Sequence, residues 1–320
     1  MPVAAPTVRN NTAQPSRGEL PPFEVSGAPS APVVVVLGGI SATQHVCANA
    51  IDRTPGWWDV IAGQGKAIDT DRYRIVSYQW LDGGRDERGR PVRAVTTHDQ
   101  ADALAAVLDH IGAERVHAIV GASYGGFVAL AFAERYPKRA QRVVVIGAAH
   151  KPHPMSTARR AIQRRIVELA LDAGRGKEGL ALARALAITT YRSPAEFADR
   201  FASAPTVRAS ATATFPVEKY LDHNAERFAA AWEPSRFLAL SLSGDLHSVN
   251  PASITVPTTV IAIEDDEVVP LAQMRELAEQ LAGPVRLRVL PTRNGHDAFL
   301  ARPDALGPEL IAALEAPVRK

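Results

Sequence analysis

The sequence predicts a doubly wound α/β architecture in which a mostly parallel sheet is interrupted by an inserted helical cap. Three observations predict it. Residues 32–37, 116–120, 142–146 and 258–263 are short, continuous apolar runs rich in β-branched residues. Such runs, lacking polar alternation, mark strands buried on both faces of a parallel sheet. Between and after them come helical patterns, at residues 97–112, 271–281 and 304–314, and strands alternating with helices define the doubly wound class. Third, residues 151–250 carry helical periodicity and no clear strand. A helical block set between strands of one sheet is expected to lie over the strands' carboxyl ends, where such sheets bind ligands.

Composition narrows the function classes. Of 320 residues 46% are hydrophobic and the net charge is +2, too small a charge for nucleic acid to be the main partner. The one cysteine, Cys47, excludes an internal disulfide framework and a cysteine-rich metal site, and fits a reducing compartment. No metal site is read. No apolar run approaches the ~20 residues of a membrane span. Residues 1–31 are rich in Pro, Ala and Ser and have neither a basic nor a long apolar signal segment, so an irregular N-terminal arm on a cytoplasmic protein is expected. The domain reading is therefore an arm at 1–31, a core at 32–150 and 251–320, and a cap at 151–250.

In chain order, the strand at 32–37 runs into Gly38-Gly39-Ile40-Ser41-Ala42, small residues whose backbone can approach a ligand closely or simply make a tight turn. Trp57-Trp58 either lines a ligand entrance or packs on the fold. Residues 73–78 alternate as a strand does, and the charged, Gly-rich loop at 82–91 is expected to be solvated. The helix at 97–112 places Leu104, Val107, Leu108 and Ile111 on one face.

Residues 116–127 are the functional centre of the sequence. A β-branched run meets Gly121-Ala122-Ser123-Tyr124-Gly125 and a helical pattern follows at once. Strand, sharp turn and helix around Gly-x-Ser-x-Gly form the context of a nucleophile elbow in an α/β-hydrolase fold. Gly121 and Gly125 lack the Cβ atoms that would collide there, and Ser123 stands at a helix N-terminus that favours developing negative charge. The plainer alternative is a Gly-rich turn with Ser123 as helix cap. In an elbow, the oxyanion is held by two backbone N–H groups, here those of Ile40 and Tyr124. A serine nucleophile needs a base, and the base an acid, in chain order Ser, acid, His. After the strand ending at Ile263 stand Glu264, Asp265, Asp266 and Glu267; Asp266 is chosen and Asp265 held in reserve. One β–α unit later, His296 in Asn294-Gly295-His296-Asp297 is the base.

Several strings then carry a resemblance: Gly56-Trp57-Trp58, Gly65-Lys66-Ala67-Ile68-Asp69-Thr70, Thr190-Tyr191-Arg192-Ser193, Val217-Glu218-Lys219-Tyr220-Leu221 and Gly295-His296-Asp297-Ala298-Phe299-Leu300. In collinear order over residues 33–300 they resemble the homoserine O-acyltransferases of the MetX type. The resemblance implies ping-pong transfer from an acyl-CoA (succinyl-CoA or acetyl-CoA, as co-substrate, with no permanently bound cofactor) through Ser123 to the hydroxyl of L-homoserine. It also implies a place in methionine biosynthesis and a homodimer joined through the cap. It assigns the homoserine carboxylate to Arg184 and Tyr191 and the ammonium to Asp297. Two departures are Tyr124 where methionine commonly follows the serine, and the charged 83–91 loop in place of a Gly-rich stretch. The basic cluster Arg159, Arg160, Arg164 and Arg165 reads either as a contact for CoA phosphates or as a solvated helix face. The alternatives are a serine O-acyltransferase of the same family and an esterase or thioesterase with the same triad.

Overall fold

The computed structural model describes residues 20–208 and 211–317; residues 1–19 of the expected arm lie outside them. The chain opens with β1 (Phe23–Ser26), then β2 (Val33–Leu37), β3 (Arg74–Tyr78), α1 (Thr97–His110), β4 (Ala118–Ala122), α2 (Tyr124–Arg135) and β5 (Val143–Ile146). The irregular reading is thus corrected over part of its range: Phe23–Ser26 pairs antiparallel with β3 at the edge of the sheet. Helices α3 (Pro154–Asp172), α4 (Gly176–Tyr191) and α5 (Pro194–Arg200) follow. A two-residue pair, β6 (Val207–Arg208) and β7 (Ala213–Thr214), leads to α6 (Pro216–Ala231) and α7 (Pro234–Asp245). That small antiparallel ladder contradicts the expectation of a strand-free helical block. The sheet resumes with β8 (Thr258–Ile263), α8 (Leu271–Gln280) and β9 (Val285–Leu290), and the chain closes with α9 (Ala298–Ala301) and α10 (Pro303–Glu315).

The seven-stranded sheet has the order β1-β3-β2-β4-β5-β8-β9, parallel throughout except for β1. The middle strands β2, β4, β5 and β8 consist almost wholly of buried residues because helices cover both faces. β4 is the spine: Ile119 and Val120 are fully buried and sit on opposite faces of the pleat, one in each of the two apolar cores. Truncating such a side chain to alanine costs about 2–5 kcal/mol. On one face lies α2, buried from Tyr124 to Ala133. Next to it is α1, started by a reciprocal cap in which Thr96 Oγ1 accepts the Asp99 N–H at 3.1 Å and Asp99 Oδ2 accepts the Thr96 N–H at 2.7 Å.

Residues 151–250 pack as a layer of their own, with α3 against α4 and α7, and α4 against α6. The charged 82–91 loop does more than face solvent. Arg90 reaches Asp172 at the end of α3 at 2.5 Å, and Arg85 reaches Glu233 before α7 at 3.3 Å. These pairs are partly exposed, so each is worth about 0–1 kcal/mol. The tryptophan pair packs rather than lining an entrance: Trp58 is fully buried, its Nε1 donates to Phe299 O at 2.9 Å, and Trp57 stacks on it at 5.0 Å.

Candidate active site

The strand β4 delivers its last residue into a turn that only a strained serine can make. Ser123 has φ 54° and ψ −119°, and it is the one non-glycine residue with positive φ among those described. Such a conformation costs of order 1–3 kcal/mol and persists only where the surroundings enforce it. Here they do. A Cβ on Gly121 would overlap Gly125 O, and a Cβ on Gly125 would overlap Leu37 O, so strand and helix pass at backbone contact. The Ser123 side chain makes no capping hydrogen bond to α2, which removes the helix-cap reading.

The loop after β8 turns so that two adjacent carboxylates grip two adjacent residues. Asp265 Oδ1 accepts the Gly295 N–H at 3.1 Å, and Asp266 Oδ2 lies 2.7 Å from His296 Nδ1. Asp266 Oδ1 accepts the amides of Val268 and Val269 at 2.7 and 2.9 Å, which fixes the carboxylate's plane. His296 Nε2 is 2.7 Å from Ser123 Oγ. With the carboxylate on Nδ1, the imidazole carries its proton there and presents a lone pair to the serine. Burial pushes the His296 pKa down; the Asp266 charge and hydrogen bond push it up, and the net displacement is upward. The structure therefore brings Ser123, His296 and Asp266 into one hydrogen-bonded chain, with Asp265 in a supporting position. Gly147, with φ 53°, allows this: a Cβ there would stand 3.4 Å from both Asp266 Oδ2 and His296 Cε1.

The two anticipated oxyanion donors flank the serine. Tyr124 is the first residue of α2, so its N–H precedes the helical bonds, which begin with Gly126 and Phe127 donating to Ser123 O at 2.9 and 3.2 Å. Ile40 follows Gly39 in the loop after β2, and Gly39 O is held by Trp80 Nε1 at 3.2 Å. Trp80 was not among the sequence candidates, nor was the network around the Tyr124 side chain. The buried phenol lies 2.7 Å from Ser243 Oγ and accepts from Gln100 Nε2 at 3.3 Å, and burial lifts its pKa to about 12.

Ser123 and His296 open on a cavity that α3 and α4 roof. Arg184, Tyr191 and Asp297 all line it, so residues as far apart in sequence as Arg184 and Asp297 share one space. The Arg184 guanidinium lies 4.7 Å over the Phe228 ring and 5.3 Å from the Tyr191 ring, and among the described residues it makes no ion pair. Asp297 is engaged by Arg192, whose Nε is 3.3 Å from Oδ2 and whose Nη1 donates to Glu196 at 2.6 Å. Burial nonetheless lifts the Asp297 pKa, against the pull of Arg192 and Arg184. Three of the four arginines of α3 depart from the solvated-face reading, while Arg165 is exposed as that reading expects. Arg160 Nε and Arg164 Nη1 clamp the buried Asp245 at 2.7 and 2.5 Å, while Arg159 Nη2 meets Glu267 at 3.1 Å. Arg159 and Arg160 line the cavity itself, where a solvated helix face would not be. Among the described residues no group of three or more His, Cys, Asp or Glu side chains could hold a metal ion.

A strained elbow serine and a buried His–Asp pair define the nucleophile-elbow class of α/β-hydrolase-fold proteins. The profile of that fold family matches residues 32–303. The chain is 42% identical over 294 residues to a homoserine O-succinyltransferase of Xanthomonas campestris pv. campestris, covering 91% of this chain and 78% of the relative. It is 32% identical over 324 residues to an L-serine/homoserine O-acetyltransferase of Streptomyces lavendulae, covering 88% and 87%. The protein belongs to the homoserine O-acyltransferase family and is an acyltransferase. The fold alone would not say so: the solved structure of esterase E22 superposes with a TM-score of 0.81 at 21% identity, over 92% of this chain and 93% of that one.

Proposed function

We propose that the protein moves an acyl group from an acyl-CoA to the hydroxyl of L-homoserine through an acyl-Ser123 intermediate. The observation that carries this reading is the cavity itself: Ser123 and His296 share it with Arg184, a guanidinium without an ion pair, and with the carboxylate Asp297. A zwitterionic amino acid needs that pair of charges; a water nucleophile does not. In the first half-reaction His296 Nε2 takes the Ser123 Oγ proton while Oγ attacks the thioester carbonyl. The oxyanion forms against the Ile40 and Tyr124 amides. The C–S bond breaks and the CoA thiol leaves with the proton from His296. Homoserine then enters, its carboxylate on Arg184 with Tyr191 alongside and its ammonium on Asp297. Its hydroxyl gives a proton to His296 and attacks the ester, and Ser123 recovers its proton as the O-acylhomoserine departs. An acyl chain of two to four carbons, acetyl or succinyl, suits the names of the relatives, and the reaction belongs to methionine biosynthesis. Serine is the alternative acceptor, since it offers the same zwitterion one methylene shorter.

We further infer a cytoplasmic homodimer. Support for a partner surface is the spaced row of exposed Met155, Ile162 and Leu169 along α3. No helix among the described residues is long and apolar enough to cross a membrane. CoA release with L-homoserine, measured in parallel with acetyl-CoA and succinyl-CoA and with L-serine and no-acceptor controls, tests the function. Release that requires homoserine upholds it; release indifferent to the acceptor means a thioesterase.

A further inference from the structure

Among the described residues neither the Ile40 N–H nor the Tyr124 N–H meets an acceptor, and both residues line the cavity beside Ser123. A buried network holds them there. The loop after β2 is pinned at two consecutive carbonyls. Gly38 O accepts the Gly125 N–H at 2.9 Å, which ties the loop to the start of α2. Gly39 O accepts twice, from the Ala42 N–H at 2.9 Å and from Trp80 Nε1 at 3.2 Å. The Ala42 bond only closes the local turn and would travel with it. The Trp80 bond comes from the loop after β3, 41 positions away, and so holds that turn against the sheet. Gly39 C=O and Ile40 N–H belong to one trans peptide unit and point in opposite directions. A donor that fixes the carbonyl on one side therefore aims the amide on the other. The serine is close by: a Cβ on Gly39 would stand 3.9 Å from Ser123 Cβ.

Trp80 is itself immobilised. It is 3% exposed, and its ring meets Tyr78 and Tyr124 edge-on at 5.2 and 5.1 Å. The fully buried Gln100 pairs with both backbone groups of the next residue. Its Nε2 donates to Leu81 O at 2.8 Å and its Oε1 accepts the Leu81 N–H at 3.0 Å. The same Nε2 lies 3.3 Å from the Tyr124 phenol oxygen, so one side chain braces both residues whose amides flank the serine.

We propose that Trp80 is a positioning residue for acyl transfer: its indole N–H orients the Gly39–Ile40 peptide so that the Ile40 amide receives the oxyanion, and Gln100 sets Trp80 in place. The inference rests on the acyl-Ser123 reading and holds whichever donor and acceptor the protein uses. It concerns the step in which Ser123 Oγ bonds to the carbonyl carbon. The carbonyl π pair then moves onto oxygen and the Oγ proton passes to His296 Nε2. Full negative charge gathers on that oxygen only toward the transition state, so loss of the indole N–H should slow acylation and spare ester binding.

The test uses p-nitrophenyl acetate and its thiono analogue, in which sulfur, a weak acceptor of N–H bonds, replaces the carbonyl oxygen. The p-nitrophenolate burst from the full-length protein gives the acylation rate constant, and its amplitude gives the fraction of working protein, with Ser123→Ala as blank. The variants are Trp80→Phe, Gln100→Met and a protein carrying β-(3-benzothienyl)alanine at position 80. That last side chain keeps both rings and puts sulfur where the indole has its N–H, so it preserves the packing. Outright loss of an oxyanion donor costs about 10²–10³-fold, and a donor that is present but released should cost less, about 30-fold on the acetate in both position-80 variants. The half-saturating ester concentration should not change, and Gln100→Met should show a smaller loss of rate. The thiono ester should slow about twofold or less, so the ratio of the two esters falls. A partly misfolded variant lowers the amplitude, and the ratio is then read from the remainder. A ratio equal to that of the unmodified protein overturns the assignment; a displaced Ser123–His296 pair would give that result by slowing both esters alike. If the unmodified protein forms no acyl-Ser123 from either ester or from acyl-CoA, the covalent reading itself fails and the proposal falls with it.

Discussion

His296 Nδ1 lies 2.7 Å from Asp266 Oδ2, and the other oxygen of that carboxylate is tied down by the amides of Val268 and Val269. The acid is thereby fixed before the base arrives, and its negative charge outweighs the burial that would otherwise depress the imidazole pKa. Asp266→Asn keeps the shape and removes the charge. We expect acylation to slow by about 10³–10⁴-fold, as loss of tautomer and orientation does in serine triads generally. The base must be neutral to work, so activity in the unmodified protein should fall as pH drops through a value above 6.5, the ordinary histidine figure. With the charge gone and burial retained, the residual activity of Asp266→Asn should fall off at lower pH. A pH–rate profile of kcat/KM for acyl-CoA checks the direction, and an acid limb that moves upward would contradict it.

Ser123→Ala should yield no acyl-enzyme by mass spectrometry and His296→Ala nearly none, with rates reduced about 10⁴-fold or more. Ser123→Ala should also leave the fold intact or firmer. Alanine has no more ease at φ 54° than serine, and the change removes only a half-buried hydroxyl whose partner is His296. Thermal unfolding beside the activity assay separates the two effects. Substantial turnover by Ser123→Ala would rule out the covalent route.

Arg184→Ala should raise the homoserine KM about 10–100-fold while single-turnover acylation from acyl-CoA proceeds. The separation follows from position: Arg184 faces the cavity from α4 with Tyr191 and Asp297. If acylation collapses instead, Arg184 serves the donor or the fold.

The sheet was legible because the chemistry that buries a strand on both faces also removes polar residues from it. Thr258–Ile263 matches its expected bounds. β1 was hidden because Phe-Glu-Val-Ser is short, lies at an edge and follows a Pro-rich stretch. Within the helical block, α7 is buried nearly all round, from Pro234 through Ser243, so it carries no amphipathic stripe of its own. The Ser123, Asp266 and His296 set was readable from motif and chain order; its second layer was not. Asp245 meets Arg160 across 85 positions and Gln100 meets Tyr124 across 24, and no local pattern announces a pairing made by tertiary packing. For the same reason the α3 arginines could not be told from a solvated face until their partners were in view.

The elbow glycines make a sharp stability prediction. A methyl group on Gly125 would overlap Leu37 O, and one on Gly121 would overlap Gly125 O. The obstacles are backbone atoms of adjoining elements, which cannot rotate away as a side chain can. Gly125→Ala should therefore destabilise the protein by about 2–3 kcal/mol or more, at the upper end for overpacking. It should also displace Ser123 from His296, so that activity falls further than the folded fraction does. Urea unfolding against specific activity checks both, and a variant of unchanged stability would mean that strand and helix do not pass at this distance.

His247 predicts how the fold responds to acid. It is buried against Phe127, its ring stacked at 4.2 Å, with Nδ1 2.8 Å from Thr97 Oγ1 and Nε2 3.1 Å from Ala149 O. Burial depresses its pKa to about 3, against the opposing pull of the Ala149 carbonyl. A histidine neutral in the folded state but free to protonate when unfolded makes the unfolded chain bind one more proton between about pH 6.5 and 3. Its contribution is therefore fully present above pH 6.5 and is lost as pH falls, at up to about 1.4 kcal/mol per pH unit. His247→Phe keeps an aromatic ring on Phe127 but leaves Thr97 and Ala149 without their partner, so it should cost about 1–3 kcal/mol at neutral pH. In exchange the slope of unfolding free energy against pH should flatten by one proton over that window. Chemical denaturation at a series of pH values measures the slope difference directly, and parallel curves for the two proteins would show that His247 titrates in the folded state much as it does in water.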